Sequence, residues 1–178
     1  MSMSHDEITA AYRAHAKARL RGDTAEARRL ADQARMEGRI THLIFTTTLF
    51  GEIVLDHFGD ELDRTALAAL TKRLHQRHRD DDRFHPLKAE AMVKAMFDQR
   101  PQVLMEIAQA EQPTYMWAVM EALIDPGESE EAMDERFDLA EQLGREWLAG
   151  AFEAPSLAHW RTTAPGAAAS GREEVNPE

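Results

Sequence analysis

Residues 39–58 read RITHLIFTTTLFGEIVLDHF, and this stretch decides the fold. On a helix, Ile40, Leu43, Ile44, Phe50, Val54 and Phe58 fall near one face, while Phe45, Leu49 and Ile53 occupy another at steps of four. A helix that is apolar on two sides belongs in the middle of a bundle. The run Thr46, Thr47, Thr48 lowers intrinsic helix propensity, so this assignment requires burial to override it. The stretch is expected to be the central helix of an all-α domain.

Glycine, proline and capping residues divide the remaining sequence into helix-length pieces, and no stretch alternates strictly enough for a strand. Ser4 with Glu7 forms a capping-box pattern for a helix over 5–21, stopped by Gly22. Asp23 with Glu26 repeats the signal for a second helix, to about residue 37. Asp60 or Asp63 caps a fourth over 64–79, with Leu67, Leu70 and Leu74 as its apolar stripe. Pro86, Pro101 and Pro113 open three more, and Ser129 caps a last long helix to about residue 152. Met133, Phe137, Ala140, Gly144, Trp147 and Ala151 form the inner face of that helix. The expected fold is thus a seven- or eight-helix bundle over residues 4–153. Residues 154–178, Ala- and Pro-rich, are expected to be a largely unstructured tail. Gly51 and Gly144 mark close helix crossings, within one chain or across a homodimer.

The stretch Gly22-Asp23-Thr24-Ala25-Glu26-Ala27, with Ala34 seven residues later, resembles the turn and second helix of a tetratricopeptide repeat. The next Gly-Asp pair, Gly59-Asp60, is followed by Arg64 where Ala27 would map, so the pattern reads as a single hairpin and not as an array.

Charge is distributed unevenly. The net charge is −11, yet residues 1–100 hold 17 basic against 16 acidic side chains, whereas residues 101–153 hold 2 against 13. Overall acidity disfavours nucleic acid, whose binding rests on phosphate neutralisation. It also disfavours anionic membrane surfaces, and no apolar run is long enough to span a bilayer. With no leader-like segment at the N-terminus, the expected location is the cytoplasm.

The inventory of reactive groups is narrow. There is no cysteine, the five serines fall at expected termini, a cap or the tail, and the nine glycines form no phosphate-cradling loop. No cofactor is expected. Glu52 and Asp56, at i and i+4 on the central helix, and His75 and His78, sharing a face of the fourth, make a candidate ligand or metal site if those two helices pack together. Glu131, Asp134, Glu135 and Asp138 make a negative stripe on the last helix, suited to a protein partner with a basic surface. Met92, Met96, Met116 and Met120 could add an adaptable apolar surface beside it. The expected function is therefore a non-catalytic protein-interaction module, acting as an adaptor, regulator, inhibitor or immunity-type protein. The alternative is a ligand- or metal-binding bundle protein or enzyme, with its site between helices 40–58 and 64–79.

Overall fold

The computed structural model describes residues 4–33, 39–97 and 107–150, which form seven α-helices and no strand. In chain order these are α1 (His5–Leu20), α2 (Thr24–Gln33), α3 (Arg39–Phe58), α4 (Arg64–Arg77), α5 (Pro86–Phe97), α6 (Gln112–Leu123) and α7 (Glu130–Gly150).

Local chemistry sets the boundaries. The Ser4 hydroxyl accepts from the Glu7 amide at 3.3 Å and the Glu7 carboxylate accepts from the Ser4 amide at 2.7 Å, so the capping box is complete. α1 ends where Gly22 takes φ +75°, and the Asp23 amide donates back to the Ala18 carbonyl at 2.8 Å. Asp23 then turns its carboxylate to the Glu26 amide at 3.0 Å and starts α2. Asp63 caps α4 and Ser129 caps α7 in the same way.

α3 is the central element and packs most extensively on α7 and α6, while α4 packs on α5 and α6. Phe45, Leu49, Phe50, Ile53 and Val54 of α3 are buried in the main core with Tyr12, Leu70, Leu74, Trp117 and Phe137. The threonine run fits because two of its three hydroxyls bond within the helix. Thr47 donates to the Leu43 carbonyl at 2.9 Å and Thr48 to that of Phe45 at 3.0 Å, leaving neither hydroxyl unmet against the core.

Three expectations are corrected. Ile40 and Leu43 are exposed, because they point away from the contact with α7, which Ile44 and Thr48 make against Gly144. Met92, Met96, Met116 and Met120 are all buried, so they fill the core and offer no Met-rich surface. Ile107 to Glu111, between the helix expected to open at Pro101 and the one at Pro113, form a bend and turns before α6. The start of that segment, the end of the second helix and the tail at 154–178 lie outside the described residues. Among the described residues, no helix is long and apolar enough to cross a membrane.

Candidate functional site

The two sets of acidic residues picked out in the sequence meet in space. α7 runs antiparallel to α3, placing Arg136 against Glu52 and Asp56 at one end of the contact and Gly144 against Ile44 and Thr48 further along. The Arg136 guanidinium donates through Nη1 to Glu52 Oε1 at 2.7 Å and through Nη2 to Asp56 Oδ2 at 2.9 Å. Its Nε donates to both oxygens of Glu128, at 3.0 and 3.2 Å. One cation therefore serves three carboxylates.

The imbalance shows in the titration of the cluster. Burial, reinforced by Asp56 and Glu128, raises the Glu52 carboxyl from its ordinary 4.5 to about 7, outweighing the attraction of Arg136. Burial acts to lower the pKa of Arg136, but Glu52, Asp56 and Glu128 together hold it above the usual arginine range. The Glu52 side chain is only 10% exposed, and its second oxygen, Oε2, is buried without a hydrogen-bond partner. Glu52 lines a notch of about 230 Å³ with Glu128, Glu135, Arg136 and Leu139. A shallower hollow of about 380 Å³ shares Glu135 and Leu139 with it and continues past Asp138 and Glu141.

α1 neutralises one flank of this surface. Arg13 lies 2.6 Å from Asp138 and 2.5 Å from Glu141, the Tyr12 hydroxyl donates to Glu141 at 3.2 Å, Lys17 pairs with Glu130, and Arg21 lies 2.8 Å from Glu130. Arg73 and Arg77 donate to the last carbonyls of α6, at Ala122 and Glu121, where a helix C-terminus favours cations. Of the four stripe residues, all are exposed and Asp138 is engaged by Arg13, whereas Glu131, Asp134 and Glu135 have no ion-pair partner among the described residues.

His75 and His78 do not join Glu52 and Asp56. The carboxylates turn to α7, His75 is exposed on α4, and His78 stacks on Phe84 with ring centroids 3.9 Å apart. The proposed ligand or metal site between α3 and α4 is therefore not assembled, and among the described residues no group of three His, Asp or Glu could hold a metal ion. Sequence reasoning missed Arg136. Its signal was present: it stands one residue before Phe137 on the inner face, so a cation there sits at the edge of the core and needs carboxylates from the facing helix.

Comparison with protein-family models, with curated proteins and with solved structures finds no match for this chain.

Proposed function

We propose that the chain is a protein-recognition module that takes up a basic segment of a partner along α7. The observation that carries this reading is the buried, unpartnered Oε2 of Glu52 in a notch where carboxylates outnumber cations. A lysine or arginine side chain entering the notch offsets the excess charge of Glu52, Glu128 and Glu135 over Arg136. Glu131, Asp134 and Glu135, which have no ion-pair partner among the described residues, extend the same field outward and steer a cationic segment toward it. Asp138 contributes less, because Arg13 already engages it.

The test uses fluorescent peptides bearing paired arginines and lysines, measured by anisotropy against the purified chain. Binding should weaken as salt rises and should be lost in the triple variant Glu131→Lys, Asp134→Lys, Glu135→Lys. Unchanged binding by that variant at low salt, where steering is strongest, would overturn the assignment of α7 as the interface.

A further inference from the structure

A cleft of about 300 Å³ opens between α1, α2, α4 and α6, and its wall includes His15, Arg19, Thr24, Arg28, Arg77 and Glu121. Its charge is the reverse of that along α7, with three guanidinium groups against one carboxylate. Glu121 fixes two of the three. Arg19 approaches its Oε1 at 2.6 Å through Nη2 and donates through Nε to the same oxygen at 2.8 Å, and its guanidinium lies over the Trp117 ring at 4.8 Å. Arg77 approaches the other oxygen of Glu121 at 3.6 Å and donates to its main-chain carbonyl at 3.1 Å.

Each guanidinium has five N–H donors, so both arginines keep donors to spare. Arg28 keeps them all: it is exposed and has no hydrogen-bond or ion-pair partner among the described residues. Glu121 is already engaged through both oxygens and its side chain is 16% exposed, so it organises the cations and presents little charge of its own to an incoming anion.

His15 closes the inner end of the cleft wall as a rigidly held, neutral ring. The residue is 5% exposed, and its Nδ1 is buried with no hydrogen-bond partner. The ring stands edge-on to Trp117 and to His42, with centroids 5.4 and 5.1 Å away, which leaves it little room to turn.

We propose that this cleft binds a small soluble phosphate monoester, its phosphoryl oxygens held by Arg19, Arg28 and Arg77 and its organic part lying against His15. The excess of two positive charges in the wall matches the charge of about −1.5 to −2 that a phosphate monoester carries at neutral pH, which a single carboxylate does not. Planar guanidinium forks suit phosphoryl oxygens in particular. The volume exceeds what a bare phosphate fills and stands at the small end of ligand sites, roughly 300–1,000 Å³, so the organic part is of sugar size.

Calorimetric titration of the full chain with ribose 5-phosphate, inorganic phosphate and ribose, at matched ionic strength, tests this. Ribose 5-phosphate should bind at a single saturable site, phosphate more weakly and ribose not at all. Arg28→Ala, which breaks no hydrogen bond or ion pair among the described residues, should weaken binding by about tenfold or more, the effect of removing a charged hydrogen bond. Arg145→Ala, an exposed cation on α7, should leave it unchanged. In 15N-histidine spectra, saturation should shift the His15 ring signals and leave those of exposed His57 in place.

Three outcomes would each overturn the proposal: no saturable phosphate signal, equal weakening by Arg28→Ala and Arg145→Ala, or a silent His15. Retention on vesicles containing phosphatidic acid that ribose 5-phosphate fails to compete would overturn the assignment to a soluble ligand.

Discussion

Arg136 Nη1 holds Glu52 Oε1 at 2.7 Å across the α3–α7 contact, while the other oxygen of the same carboxylate stays buried and unpartnered. The pair fastens two helices and also leaves an acidic group short of donors. Those two properties have separable consequences, because one depends on the guanidinium and the other on the protonation state of Glu52.

Glu52 should make stability fall as pH rises. Its carboxyl is raised from 4.5 to about 7 in the fold, so the folded chain holds that proton more tightly than the unfolded one. The stabilisation is complete below pH 4.5 and is lost as pH climbs through about 7. A shift of this size corresponds to roughly 3 kcal/mol. Glu52→Gln should flatten that stretch of the stability curve in urea titrations and be the more stable chain at pH 8. If the α7 notch takes up a cationic side chain, basic peptides should also bind wild type more tightly at pH 8 than at pH 6, since the cation favours the ionised carboxylate. An equal slope in wild type and Glu52→Gln between pH 5 and 8 would refute this account of Glu52.

Arg136→Met should be far more damaging than removal of any one of its carboxylates. It leaves Glu52, Asp56 and Glu128 facing one another without a cation, and breaking a buried ion pair from one side costs about 3–5 kcal/mol. The loss should be largest at pH 8 and should shrink toward pH 5 as Glu52 takes up its proton. Combined with Glu52→Gln, the Arg136→Met chain should recover part of its stability, a coupling that a double-mutant cycle measures directly. Strict additivity of the two changes would show that they do not form one cluster.

Much of the fold was legible, because the signals were local and redundant. Ser4 with Glu7, Asp23 with Glu26, Gly22, Pro86 and Ser129 each act within one helical turn, and each bounds a helix where it was expected to. Partner choice between helices was far less legible. Glu52 and Asp56 could be placed on one side of α3, but which helix that side meets depends on the whole packing, and it is α7, not α4. The signal for the α1 contact was present and unused: Arg13, Lys17 and Arg21 recur at steps of four, so one face of α1 is a row of cations that an acidic helix can meet. The cationic cleft was invisible, since His15, Arg28, Arg77 and Glu121 come from four separate helices.

His15 should oppose Glu52 at the acid end. Burial first, then the neighbouring His42 and Arg19, lower its imidazole from 6.5 to about 4, so the folded chain holds it neutral. Its contribution to stability is fully present above pH 6.5 and is lost as pH falls through about 4, when the buried ring must charge or the fold must open. The shift corresponds to about 3 kcal/mol. His42, which is also lowered by burial and by Arg19, adds to the same limb. His15→Phe, which removes the titration and gives up no existing Nδ1 hydrogen bond, should move the acid unfolding midpoint to lower pH. An unchanged midpoint would mean that other groups set the acid limit.

Gly144 tests the helix crossing on which the acidic site depends. A Cβ placed there would lie 3.2 Å from Ile44 Cγ2 and 3.7 Å from Thr48 Cγ2, so α3 and α7 approach more closely than a side chain comfortably allows. For alanine two effects oppose each other. Replacing a mid-helix glycine stabilises by about 1 kcal/mol through helix propensity, and easing Ile44 aside by a few tenths of an ångström costs an amount of similar order. Gly144→Ala should therefore be near neutral. Valine adds two methyl groups where no space remains, and it should destabilise by about 1–3 kcal/mol as α7 is pushed off α3. That displacement should also let water reach the Glu52 carboxylate, and the loss of burial, the largest cause of its raised pKa, should outweigh the weakened attraction of Arg136 and lower it. Chemical denaturation together with a carboxyl titration by NMR reads both effects from the same variant. If Gly144→Val is as stable as wild type and Glu52 titrates as before, the two helices are not in the contact described.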